Sequence, residues 1–210
     1  MNKLGDLSCN EFLTELASAA PAPGGGGGAA MAGALAAALA SMVANLTIGK
    51  EKFAERELEV KELLKQAEAE RVRLLTLVDE DAAVFNSFMS CYKLPKTTDE
   101  EKAARTAAIR AAAKQAATVP LNIARSSFAV LKLADRLVVS GNPGVITDGA
   151  CSGLLARAAL RCAEYNVRIN LGLTKDEAWN AQAAADLKQL LADAEALETR
   201  LLAVTDKALQ

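Results

Sequence analysis

A chain of 210 residues that contains no histidine must draw its proton-transferring groups from Asp, Glu, Lys, Tyr, Cys or bound water. Three positions carry the candidate chemistry. Asp81 lies in "EDAAVF", late in a stretch whose apolar residues recur at helical spacing, so its immediate neighbours are partly buried. Asp148 follows the turn "GNPGVIT" near a helix start, where an acidic residue also serves as an N-cap or first-turn charge. Lys50 closes "LTIGK" at a helix end, placed to orient a substrate group or donate a proton, or to act as an ordinary solvated lysine.

Around these groups the most unusual feature is "AAPAPGGGGGAAMAGALAAALASMVANLTIGK", in which five consecutive glycines feed an alanine-rich run. It is not a nucleotide-binding loop, because it lacks G-x-x-x-x-G-K-[ST], follows a helix and has no lysine before Lys50. Glycine and alanine let backbones approach closely, so the run fits a tight helix crossing or a dimer seam. Bare amides at a helix start also suit a flat ligand or a carboxylate. Arg157, Arg161 and Arg168 share one helix face, which attracts carboxylates unless Glu164 pairs with it.

Lys plus Arg (24) nearly balances Asp plus Glu (26) without a basic run, so a nucleic-acid partner is not expected. The four cysteines have no Cys-x-x-Cys spacing, and no metal site is expected. No secretory signal is read in "MNKLGDLSCNEF", which favours reduced thiols and a cytoplasmic location. The uncharged run before Lys50 is long enough for a membrane span, but its weakly hydrophobic Ala and Gly favour a buried helix, with no membrane partner.

The elements that must position these groups read as helices throughout. Apolar residues make up 51% of the chain and aromatic ones 4%, so alanine and leucine supply the core. Ser8…Glu11 forms a capping box, with Leu7 and Phe12 as its hydrophobic staple, for a helix from Cys9 to about Ala20. Pro21 and Pro23 end it, and a second helix is expected from about Ala29 to Leu46. A long amphipathic helix follows from Glu51 to about Tyr92, with Phe85, Phe88 and Phe128 assigned to the core. Tyr92, Lys93 and Lys96 cover its end. The capping box Thr98…Glu101 starts the next helix, which Pro120 kinks or ends, and another continues to about Val139. Thr174…Glu177 reads as a third capping box. The expectation is one all-α domain over residues 1–210, a roughly antiparallel bundle of six to eight helices.

Several of these motifs occur in a familiar order. "PAPGGGGGAA", "LTIGK", "EDAAVFNSFMSCYKLPKTTDEEKAAR", "ATVP", "GNPGVITDGA" and "NVRINL" resemble the cyclodeaminase/cyclohydrolase domain of the formiminotransferase-cyclodeaminase family over nearly the whole chain. The resemblance implies an all-helical homodimer that acts on the one-carbon bridge of a folate, with the folate as substrate and no cofactor. It implies hydrolysis of methenyltetrahydrofolate to 10-formyltetrahydrofolate, as in stand-alone bacterial members. The alternatives are a cyclodeaminase that releases ammonia from formiminotetrahydrofolate, and a non-catalytic folate-binding dimer. No formiminotransferase domain is present in these 210 residues. The implied site joins Asp81, Asp148 and Lys50 as catalytic groups to Gly24, Gly25, Gly26, Gly27, Asn142, Pro143 and Thr147 as substrate-binding positions. One carboxylate would accept from the pterin amino group and ring N–H while another group manages water. The chain departs from the family pattern at Gly27, where Ser is frequent, and at "TDGA", where "SDAG" is usual.

Overall fold

In the computed structural model, which describes residues 3–210, the expected all-α architecture is found. Six α-helices run Cys9–Leu16 (α1), Gly24–Asn45 (α2), Glu57–Cys91 (α3), Asp99–Ser140 (α4), Ile146–Thr174 (α5) and Glu177–Ala208 (α6). Short 3-10 turns at Leu4–Asp6, Glu51–Arg56 and Pro143–Val145 join or precede them. No strand occurs among the described residues. The alanines of α2 lie against α3, α4 and α5, and Leu74, Ile123, Leu131 and Leu160 fill the space between them. A second apolar cluster, around Val43, Val60 and Leu137, sits at the far end of α2.

Local chemistry explains most helix ends. Ser8 and Thr98 each form the expected capping box, accepting from the backbone of Glu11 and Glu101. The first helix stops at Leu16 rather than near Ala20, because the Ser18 hydroxyl donates to the Glu15 carbonyl and accepts from the Ala20 amide. The long third helix begins at Glu57, after Glu51–Arg56 has tightened into a 3-10 turn. The third capping box is corrected: Asp176, not Thr174, caps α6 by accepting from the Trp179 amide. The Thr174 hydroxyl is instead engaged with the Leu171 carbonyl and Asn180.

Two larger corrections bear on the site. The second helix starts at Gly24, not near Ala29, so the glycines form its first turns instead of a loop. Only Gly24 needs a positive φ, at +57° just after the cis Ala22–Pro23 bond. The others are helical despite glycine's poor propensity; at Gly26 and Gly27 the Asp81 carboxyl and the Pro23 ring stand where a Cβ would go, while Gly25 and Gly28 have room for one. The fourth helix runs unbroken through Pro120. Proline cannot donate to the Ala116 carbonyl, and the Asn170 Nδ2 of α5 supplies that missing bond at 2.9 Å.

Candidate active site

A cleft between α3, α4 and α5 lies beside the glycine-rich start of α2, which its lining residues Asp81 and Asn166 meet at Gly26 and Gly25. The cleft holds about 310 Å³ and is lined by Asp81, Phe85, Phe88, Pro120, Asn166 and Asn170, among others. Asp81 reaches it from α3, and its carboxyl fills the place a side chain on Gly26 would take: a Cβ there would overlap both oxygens. At Gly25 a Cβ would lie 3.5 Å from the Asn166 Nδ2. The absent side chain at Gly26 therefore brings the helix backbone directly against the Asp81 carboxyl, while Gly25 packs at ordinary contact distance from the Asn166 amide.

Burial pushes the Asp81 carboxyl up from 3.8 to about 6, while the Gly27 backbone amide pulls the other way. A group of this kind changes protonation near neutral pH, as a histidine would in other proteins. Asn166 and Asn170 stand one helical turn apart on α5. The Asn166 Nδ2 donates to the Cys162 carbonyl and the Asn170 Nδ2 to the Ala116 and Asn166 carbonyls, which holds both side chains in place. Phe88 is buried with its ring 5.3 Å from Tyr92 in an edge-on arrangement, whereas Phe85 is only partly buried and offers an apolar wall. Of the expected core aromatics, Phe85 and Phe88 thus both reach the cleft.

The remaining candidate residues gather elsewhere. Asn142 donates from its backbone to Thr47 Oγ1 and from its side chain to the Leu46 carbonyl, tying the start of α5 to the end of α2. Its Oδ1 accepts from the Gly144 amide, so the side chain also shapes this turn. Pro143 and Thr147 are exposed beside it, Asp148 occupies the first turn of α5, and Lys50 follows α2 nearby. Asp148 and Asn166 are eighteen residues apart in one helix, which is roughly 27 Å at about 1.5 Å per residue. Within a protomer, then, Asp81 and Gly24 to Gly27 stand at one end, and Lys50, Asn142, Pro143, Thr147 and Asp148 at the other.

The arginine face is paired internally. Arg157 bonds Glu198 of α6 at 3.2 Å, while Arg161 and Arg168 both reach the buried Glu164, at 2.7 and 3.3 Å. Asn166 and Asn170 of "NVRINL" line the cleft without having been candidates in the sequence, and Pro120 of "ATVP" was expected only to kink or end a helix. The four-residue spacing of the asparagines on a helix was the available signal.

Fold and cleft together define an all-helical domain with a ligand-sized pocket, in which a proton-titrating carboxyl sits against a side-chain-free helix start. The chain belongs to the formiminotransferase-cyclodeaminase family, whose sequence profile matches residues 8–189. It is 45% identical over 197 residues to a methenyltetrahydrofolate cyclohydrolase of Methylorubrum extorquens, covering 94% of this chain and 95% of that one. A formimidoyltransferase-cyclodeaminase of Sus scrofa is 34% identical over 87% of this chain, which spans only 34% of that longer protein. The crystal structure of a formiminotetrahydrofolate cyclodeaminase from Thermotoga maritima superposes with a TM-score of 0.88 at 28% identity, covering 98% of both chains.

Proposed function

We propose that the protein is a methenyltetrahydrofolate cyclohydrolase, converting methenyltetrahydrofolate and water to 10-formyltetrahydrofolate and a proton. The observation that carries this reading is Asp81, a carboxyl near pKa 6 inside a cleft against the glycine-rich helix start. The near full-length match to a cyclohydrolase favours that activity over ring closure with loss of ammonia.

The methenyl carbon is an amidinium carbon, and the first step is formation of a C–O bond to water with loss of a water proton. Ionised Asp81 takes that proton, directly or through one further water. The carbinolamine then collapses: its O–H proton is lost, the C–O bond gains double-bond character, and the bond from carbon to N5 breaks. N5 receives a proton, for which protonated Asp81 is the donor. Over the whole cycle one water is consumed and one proton released, with no change in oxidation state. A pKa near 6 suits both halves, since the group is mostly ionised at neutral pH while its acid form gives up a proton readily.

Phe85 offers an apolar surface for the pterin, and the Gly24 to Gly27 backbone lets a flat ring approach without a side chain in the way. The folate is the substrate and no further cofactor or metal is invoked. The homodimer, the cytoplasmic location and the absence of nucleic-acid or membrane partners belong to the same reading. The second helix satisfies length and hydropathy criteria for a membrane span, but 61% of its most apolar window is buried within the bundle.

The test is the decay of methenyltetrahydrofolate absorbance with and without purified protein, corrected for spontaneous hydrolysis. Accelerated decay is expected, and no acceleration would overturn the assignment. The close structural match to a cyclodeaminase motivates the parallel assay: methenyl appearance with ammonia release from the formimino compound alone would replace hydrolysis by cyclodeamination.

A further inference from the structure

Two helix stripes lead outward from the floor of the cleft and finish at the same place. On α3, Asp81, Phe85, Phe88 and Tyr92 stand at steps of four, three and four, so one face carries the chain of contacts from the carboxyl to the end of the helix. On α4, which runs back alongside α3, Pro120, Ala116, Ile109 and Arg105 stand at steps of four, seven and four. The stripes meet at Tyr92 and Arg105. Phe88, which lines the cleft, touches the Tyr92 ring edge-on at 5.3 Å, and the Arg105 guanidinium lies over that ring, 5.4 Å from its centre. Arg105 Nη2 also donates to the Tyr92 carbonyl at 3.3 Å.

Arg105 is a cation without a counter-ion. Of the acids that open α4, Asp99 pairs with Lys102 at 2.8 Å and Glu101 closes the capping box with Thr98. No carboxylate among the described residues forms an ion pair with Arg105. Its Nε is buried without a hydrogen-bond partner, an unfavourable state for a charged donor. Capping the carbonyls at the end of α3 needs only a solvated lysine. A guanidinium stacked on an aromatic ring instead holds a planar fork of donors in a fixed orientation, the geometry that suits a carboxylate.

The spacing matches the length of a folate. Eleven residues separate Asp81 from Tyr92, which is roughly 16 Å along α3 at about 1.5 Å per residue. From the methenyl carbon through N10, the aminobenzoyl ring and the amide to a glutamate carboxylate is roughly 10–13 Å, summed from bonds of about 1.3–1.5 Å. A hydrogen bond of about 3 Å at each end brings the two spans together. Asp81 is the one charged residue lining the cleft, and Phe88 and Leu173 flank its outer part. That apolar stretch suits the neutral aminobenzoyl ring.

We infer that Arg105, stacked on Tyr92, binds a glutamate carboxylate of the folate at the outer end of the cleft. The inference rests on the reading of this cleft as a folate site and adds to it the group that selects substrates bearing a free glutamate. Arg105 touches no reacting atom. Its effect therefore falls on KM, with kcat left to Asp81 and the inner end.

The experiment measures KM and kcat for methenyltetrahydrofolate and for its diamide, in which both glutamate carboxylates are neutral amides, using wild-type, Arg105→Gln and Arg105→Lys proteins. Wild-type protein should show a KM about tenfold or more higher for the diamide, at similar kcat. Arg105→Gln should raise KM for methenyltetrahydrofolate by about the same factor and leave that for the diamide within about twofold. Arg105→Lys keeps the charge and loses the fork, so its KM for methenyltetrahydrofolate should fall between the two. It also carries the comparison if the glutamine variant does not fold. A residue that only pinned the turn after α3 would raise both KM values together. That result, equal KM values for the two substrates in wild-type protein, or unchanged values in the variants, would overturn the inference.

If wild-type protein accelerates the decay of neither compound, the cyclohydrolase reading has failed. Equilibrium dialysis with 5-formyltetrahydrofolate and its diamide then decides the subsite alone. Tighter binding of the free carboxylates that disappears in Arg105→Gln supports it, and equal binding or none overturns it.

Discussion

Asp81 concentrates the chemistry of the cleft in one titrating carboxyl, and its protonation makes two separate predictions. In catalysis the ionised form is the base. Enzymatic kcat/KM, after subtraction of spontaneous hydrolysis, is therefore expected to rise about tenfold per pH unit below about 6 and to level off above it. Asp81→Asn should flatten that profile and lower the rate by roughly 10²–10⁴-fold. A profile unchanged by the substitution would remove Asp81 from proton transfer.

Stability responds with the opposite sign. Because the folded-state pKa lies above the unfolded value of 3.8, the native protein binds more protons between the two values, and ionisation above about 6 costs stability. Asp81→Asn is expected to be more stable than its parent at pH 8, by on the order of 2 kcal/mol after allowing for partial solvent contact. That gap should close as pH falls from about 6 to about 4, which paired thermal melts would measure. Gly26→Ala tests the same contact from the other side. Its Cβ would overlap the carboxyl, so activity should fall at least tenfold and stability by about 1–3 kcal/mol. Full activity in that variant would mean that the carboxyl has room to move.

Among the elements, α4 shows where local sequence rules are overridden. Proline predicts a break at residue 120, yet the helix continues because Asn170, fifty residues later in sequence, donates to the carbonyl the proline leaves free. No local pattern in α4 could reveal that donor. This arrangement predicts coupling: Asn170→Ala orphans a partly buried carbonyl and should cost about 1 kcal/mol or somewhat more. In a Pro120→Ala background residue 120 can itself donate to Ala116, so the cost of Asn170→Ala should shrink by about 1 kcal/mol or more. Additive losses in chemical denaturation would show that the bond carries no weight.

The same contrast divides what was legible in the sequence from what was not. Helix type, the capping boxes at Ser8 and Thr98, and the amphipathic stripe of α3 are local and were readable. The glycine run reads as a loop because five glycines have poor helix propensity, and that Gly26 stands where the Asp81 carboxyl needs its space is a tertiary fact that propensity does not contain. Asp81 was legible as a candidate. Its neighbours Asn166 and Asn170 were not, since two asparagines on a helix ordinarily mean solvent exposure.

At the scale of the whole molecule, the bundle leaves its least polar helix pair, α2 and α5, partly uncovered while burying the alanine side of α2 completely. A monomer with that face in water would retain an apolar patch at the upper end of what soluble monomers show. Leu35 sits on this face, 51% exposed, where the proposed homodimer would cover it. Leu35→Glu would then bury a charge in the seam, and the dimer should weaken by roughly 10²–10³-fold in Kd, or about 3–4 kcal/mol. Because Leu35 is far along α2 from Asp81, the cleft within a protomer should keep its shape. Sedimentation would follow the dimer fraction across a dilution series, and methenyltetrahydrofolate decay would be measured at the same concentrations. Specific activity is expected to fall in step with the dimer fraction and to return on concentration. A variant that is monomeric and fully active would show that one protomer holds a whole site, and that the apolar face serves association alone.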